Sequence, residues 1–160
     1  MKIPRHVQKG LVISAAVLTV DQITKWWVVF TLMQPPRLIE VTPFFNLVMG
    51  WNYGVSFGML NGAPGLSKWL LPLVTLAITA GMVFWLIREH RRWTVIGLGL
   101  IIGGAVGNLI DRLRFGAVAD FLDVHAFGYH WPAFNAADSA ITVGAIVIIL
   151  ESLFVRDEKP

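Results

Sequence analysis

GLGLIIGGAVGNLIDR, residues 97–112, is the stretch whose reading decides the fold. Gly99, Gly103 and Gly107 recur every fourth residue, so on a helix they form one stripe without side chains. Such stripes let helices approach closely within a membrane, where close packing drives association in place of the hydrophobic effect. The same face continues to Asn108 and then, three and four residues on, to Asp111 and Arg112. Packing accounts for the glycines and leaves the Asn-Asp-Arg tip unexplained.

The run lies in the third of four apolar segments, at about 10–32, 69–87, 93–113 and 137–155. Each is near the ~20 residues needed to cross a ~30 Å hydrocarbon core. Composition agrees: the 160 residues are 56% hydrophobic and only 14% charged, where soluble domains carry about a quarter charged. The expectation is an all-α polytopic membrane protein, a single membrane domain over 1–160. Four transmembrane helices would carry a small β-containing extracytoplasmic cradle, with extracytoplasmic loops at about 33–68 and 114–136. The first loop, RLIEVTPFFNLVMGWNYGVSFGML, mixes β-formers with Gly and Asn, which predicts short strands lying against the membrane surface. A short interfacial helix is expected around MLNGAPGLSKW, residues 59–69.

The net charge of +3 is explained by topology. Lys2, Arg5, Lys9, Arg88, Arg91, Arg92, Arg156 and Lys159, eight of the 13 Lys and Arg, fall on one side of a four-pass arrangement. The positive-inside rule then places both termini in the cytoplasm, and a nucleic-acid partner is not expected. Trp85 and Trp93 flank the basic loop, and Trp69 and Trp131 mark the opposite boundary, as an interfacial aromatic belt would. The stretch LVISAAVLTV follows a basic start but runs into DQITKWW without a small-x-small cleavage site, so a retained helix is expected. With no cysteine, disulfides, thiolate metal sites and cysteine nucleophiles are excluded together.

Ionisable groups inside membrane segments are costly and by default point to function. At 1.5 Å per residue, Asp21 lies roughly 18 Å beyond Lys9, Asp111 roughly 27 Å beyond Trp93, and Asp138 roughly 24 Å from Phe154. With Asp120 and Asp123 in the second loop, five of the ten acidic residues gather at one boundary. Of the acids within the apolar segments, Glu151 alone lies toward the other end, where it is expected to snorkel. Structural readings stand beside the functional one. Asn135 and Asp138 suit a helix N-terminus, Asp21 and Lys25 make an i,i+4 neutralising pair, and Asp120 and Asp123 are ordinary loop acids.

Among chemistries, a metal site has little support: His125 and His130 are five apart in a loop and no HExxH is present. Ser56, Ser67 and Ser139 lack a nucleophile-elbow context, and a Ser-Lys dyad with Lys25 has no serine with a clear claim. Two carboxyls sharing a site would hold one proton between them, one acting as base on water and the other as acid toward a carbonyl. No cofactor is needed for that. A small proton- or ion-coupled transporter is the rival, but the remaining halves of the helices carry almost no ionisable groups for a relay. A structural membrane subunit would leave the acid cluster without a role.

DQITK at 21–25, NYGVSFG at 52–58, GGAVGNLIDR at 103–112, VADF at 118–121 and FNAADS at 134–139 together resemble the lipoprotein signal peptidase family, bacterial signal peptidase II, over nearly the whole chain. Only Ala119, where a larger aliphatic is common in that family, stands out as a minor difference. The resemblance implies an aspartyl endopeptidase of the bacterial inner membrane, with its site toward the outer face and Asp120 and Asp138 as the catalytic pair. Asp21, Lys25, Asn52, Gly54, Asn108, Asp111, Arg112, Asn135 and Ala137 match the family's supporting positions. Asn52 and Asn108 would orient substrate, Asn135 would hold the dyad, and the loop at 50–62 would form a lid or cradle over the bound substrate. The implied partners are a diacylglyceryl-modified prolipoprotein, cut just before its lipidated cysteine, membrane lipids, and cyclic peptide inhibitors of the globomycin type.

Overall fold

The structure, a computed structural model, describes residues 3–54 and 64–154. Ser56 and most of the expected lid at 50–62 lie outside the described residues, as do Arg156 and Lys159 and the first half of the expected interfacial helix.

Among the described residues, four helices are long and apolar enough to cross a membrane. Helix α1 (Arg5–Trp27) runs on into a π-helical turn, Val28–Leu32, so the first span begins nearer the N-terminus than its hydropathy indicates. Helix α2 (Pro64–Arg88) already includes residues 64–69, so no separate interfacial helix forms there; Pro64 stands at the first helical position, where its missing N–H costs nothing. Helices α3 (Arg92–Phe115) and α4 (Ala136–Phe154) complete the bundle.

Helix α3 is the axle. Its glycine stripe faces α1: a Cβ at Gly99 or Gly103 would run into the backbone carbonyls of Gly10 and Ser14. Ser14 Oγ donates to Gly99 O at 2.9 Å across the same seam. A second glycine face, Gly97 and Gly104, packs against Gly144, Ile148, Ala137 and Ile141 of α4. The i, i+4 spacing shows the first face at once, whereas the second has only two glycines seven apart. Helix α2 rests mainly on α3 through Leu86, Val95, Leu98 and Ile102, touches α1 slightly, and has no extensive contact with α4 among the described residues. Glu151 does not snorkel: it is buried and accepts a hydrogen bond from the Thr94 hydroxyl between α3 and α4.

Helix α3 ends at Gly116, whose φ of +74° and N–H to Arg112 O (3.0 Å) form a left-handed C-cap that turns the chain into a strand. A four-stranded antiparallel sheet follows in the order β1 (Ile39–Thr42), β2 (Phe45–Asn52), β3 (Val118–Ala126), β4 (Tyr129–His130). The first loop thus supplies the expected strands, and the second loop, read without strands, supplies the other two. Phe121, Leu47 and Leu122 pack over Val28 and Met33, seating the sheet on the end of α1.

Candidate active site

The register of β2 against β3 pairs Gly50 with Asp120 and Asn52 with Val118, placing the Asn52 side chain at the Asp120 carboxylate. Asn52 Nδ2 donates to Asp120 Oδ2 at 3.2 Å, and Asn135 Nδ2 donates to Asp120 Oδ1 at 2.7 Å. Asp138, in the first turn of α4, accepts from Asn108 Nδ2 on Oδ1 (2.8 Å) and from the Asn135 N–H on Oδ2 (3.2 Å). The Asp138 N–H returns to Asn135 Oδ1 at 2.9 Å, so the two residues form a reciprocal helix cap. Capping and site membership coincide in Asp138, using different oxygens.

Each asparagine amide has one orientation, because its oxygen is claimed by a donor. Gly54 N–H binds Asn52 Oδ1, the Lys25 ammonium binds Asn108 Oδ1, and Asp138 N–H binds Asn135 Oδ1. Each NH₂ therefore faces a carboxylate. Asn52 and Asn108, expected to orient substrate, have amide N–H groups directed at the two aspartates themselves.

Behind this layer lies a fully buried ionic cluster. Lys25 Nζ sits 2.9 Å from Asp21 Oδ2 and 3.0 Å from Asp111 Oδ2. The outer oxygen of Asp21 accepts the Ala137 N–H, and Asp111 accepts the Ala119 N–H. Ala137 and Ala119 immediately precede Asp138 and Asp120 in the chain. Gln22, which the sequence did not single out, donates to Asp21 and Asp111 at 3.2 Å each and to Gly107 O at 3.3 Å. Gly107 is bare because a Cβ would strike the Asp21 carboxylate, and Gly104 is bare because a Cβ would strike the Ala137 backbone carbonyl. Asp123, counted with the other acids by depth, faces elsewhere: it binds Asn46 and His130 in the sheet.

Asp120 and Asp138 line one cleft of about 830 Å³, with Arg112, Asn52 and Gly54 beside them and apolar residues of α2 and α4 forming its walls. Arg112 reaches Asn108 O at 3.4 Å, while its Nε has no hydrogen-bond partner among the described residues. Burial lifts the Asp120 carboxyl to about 6, and the adjacent Asp138 adds to the rise. The donors Asn52 and Asn135 and the Lys25 charge pull the other way without cancelling it. Among the described residues, no three His, Asp or Glu side chains converge in a metal-binding arrangement.

A membrane-crossing bundle whose buried carboxyls open into an apolar cleft is the architecture of a membrane-embedded enzyme of the acid–base type. The chain belongs to the signal peptidase (SPase) II family, whose model matches residues 13–154. It is 45% identical to a lipoprotein signal peptidase of Rhizorhabdus wittichii over 156 residues, covering 96% of this chain and 91% of the relative. A lipoprotein signal peptidase of Methylorubrum extorquens is 43% identical over 150 residues, covering 91% of this chain and 86% of that one. A solved bacterial membrane enzyme superposes with a TM-score of 0.80 at 32% identity, over 96% of this chain and 94% of the other. The protein is thus a multi-pass bacterial membrane peptidase, and the transporter reading falls away.

Proposed function

We propose that the protein removes signal peptides from diacylglyceryl-modified prolipoproteins, cleaving just before the lipidated cysteine, with Asp120 and Asp138 as the catalytic dyad. The observation that carries the reading is the pair itself: two carboxyls facing one cleft, every oxygen held by a fixed N–H donor. Asp120, with its carboxyl raised to about 6, is the proton carrier and donates to the scissile carbonyl oxygen. Asp138, beside Arg112 and in the first turn of α4, takes a proton from water as the water attacks the carbonyl carbon. The tetrahedral diol then collapses as the Asp138 proton passes to the departing amine, and Asp120 recovers its own from the collapsing hydroxyl. Atoms balance, and no cofactor enters.

The apolar walls of α2 and α4 suit a substrate that arrives through the bilayer, because these helices are not packed together. Diacylglyceryl chains would stay among membrane lipids while the peptide bond reaches the carboxylates at the same depth. Arg112, which lines the cleft beside Asp138, supplies a cation for the substrate backbone. Basic residues gathered toward the opposite end of the spans support cytoplasmic termini and a site toward the outer face of the inner membrane. A globomycin-type cyclic peptide would occupy the same cleft.

The test is cleavage of a diacylglyceryl-modified prolipoprotein by purified protein in detergent, with Asp120→Asn and Asp138→Asn assayed beside it. Full-rate cleavage by either folded variant removes it from the dyad. Activity lost in a chelator and restored by zinc would replace the carboxyl mechanism with a metal one.

A further inference from the structure

The β3–β4 hairpin ends in a turn that neither the fold nor the cleft explains. Ala126 pairs with Tyr129, leaving Phe127 and Gly128 as a two-residue loop with φ of +51° and +82°. Left-handed geometry at both positions is the type I′ turn, which ordinarily takes Asn or Asp before Gly. Phenylalanine is disfavoured there because its Cβ crowds the backbone. Its ring recovers nothing from the folded chain: Phe127 is 102% exposed.

The surroundings are of one kind. Phe44, Tyr129 and Trp131 are also strongly exposed, and the Phe44 carbonyl accepts the His125 N–H, which sets the β1–β2 turn alongside the hairpin. Residues 124–131 contain no Lys, Arg, Asp or Glu. The carboxylate nearest in sequence, Asp123, is buried and turned onto Asn46 and His130.

Position is fixed by the root of the sheet. Ala117, Val118 and Ala119 are buried just past the end of α3, and Leu47, Phe121 and Leu122 rest on Val28 and Met33 at the end of α1. The sheet therefore lies across the end of the bundle instead of standing away from it.

We propose that the β3–β4 hairpin is a lipid anchor: Phe127, supported by Phe44, Tyr129 and Trp131, inserts into the interfacial layer of the leaflet at the active-site end. Tyr and Trp favour that layer, with the ring on the apolar side and the polar tip in the headgroups, and an uncharged Phe reaches the acyl boundary. The chain leaving the hairpin passes along the cleft wall from Trp131 to Phe134 and on to Asn135 and Asp138. Anchoring the hairpin thus sets the height of the carboxylates relative to the lipid. Insertion itself does not depend on the catalytic reading; this consequence does.

The chain has no cysteine, so Phe127→Cys supplies a single thiol for a nitroxide label. The full-length protein is reconstituted in phosphatidylcholine–phosphatidylglycerol vesicles, and power-saturation EPR compares oxygen with a water-soluble nickel chelate. A His90→Cys label, in the exposed loop between α2 and α3, is the aqueous reference. The expected result is nickel access several-fold lower at 127 than at 90, with oxygen access higher. Equal nickel access at both overturns the anchor, and so does low access to both reagents, the signature of a protein contact. Phe127→Asn gives the turn its preferred residue and keeps the protein folded. It is expected to cleave at the wild-type rate in detergent and several-fold more slowly in vesicles. Slow cleavage in both media, or unchanged cleavage in both, overturns the depth-setting role, while wild-type cleavage in either case leaves the peptidase reading standing.

Discussion

The Asp21 carboxylate accepts the Ala137 N–H at 3.0 Å, one residue ahead of Asp138, and Asp111 holds the Ala119 N–H at 3.2 Å, one residue ahead of Asp120. Lys25 lies between the two carboxylates. One ammonium on the first helix therefore ties together the two carboxylates that hold the residues just ahead of both proposed catalytic side chains, one on a strand and one on the last helix.

Lys25→Met strands two buried carboxylates and frees the Asn108 amide to turn. Removing one partner of a buried pair costs about 3–5 kcal/mol. Asp21→Asn should cost less, since Asp111 still pairs with Lys25 and an amide oxygen remains for Ala137. Thermal unfolding in detergent compares them, and a larger loss for Asp21→Asn would contradict the central place of Lys25.

Asp120→Asn and Asp138→Asn keep the size of the side chain and an oxygen for a neighbouring N–H. Loss of general acid or base catalysis lowers the rate by about 10²–10⁴-fold. The melting temperature is expected to move by only a few degrees, and the combination separates chemistry from folding.

Activity should fall as pH rises through about 6, where Asp120 loses its proton; the apparent value belongs to the pair. Asn52 donates to the ionised form and so lowers the Asp120 value. Removing it with Asn52→Ala raises that value further, and the alkaline limb of the pH–rate profile should move upward with a reduced maximum. A downward move would contradict the hydrogen-bond assignment.

Gly107→Ala drives a methyl group into the Asp21 carboxylate and wedges α1 from α3. Overpacking of this kind costs about 1–3 kcal/mol, and the shift reaches the dyad through Ala137. Gly81→Ala on α2 meets nothing within 4 Å. It should leave both melting temperature and activity unchanged, and equal effects at the two sites would deny the glycine face its role.

The spans, the α1-facing stripe and the depth of the acids were legible because each is a one-dimensional pattern read along a helix. The β2–β3 register that brings Asn52 to Asp120 was not, since strand pairing between residues 68 apart leaves no local trace. The two peptide N–H clamps were equally hidden, because backbone donors have no letter in the sequence. Asp123 shows the opposite failure: its depth matched the other acids, but strand alternation turned it away, toward Asn46 and His130. Glu151 was misjudged because one Thr94 hydroxyl on a neighbouring helix made burial possible.

The pairing of Asp21 with Lys25 closes within a single helical turn and needs nothing that comes later in the chain. During synthesis it can form as soon as α1 is made, letting that helix enter the bilayer with its two charges cancelled. Asp111 and Asn108 reach Lys25 only when the third helix follows, and Ala137 reaches Asp21 only with the fourth. The carboxylate layer is therefore incomplete on every nascent chain that has not finished its last span. With Asp120 and Asp138 as the proposed dyad, peptidase activity is tied to the end of biogenesis, and a half-inserted protein would have no means of cutting.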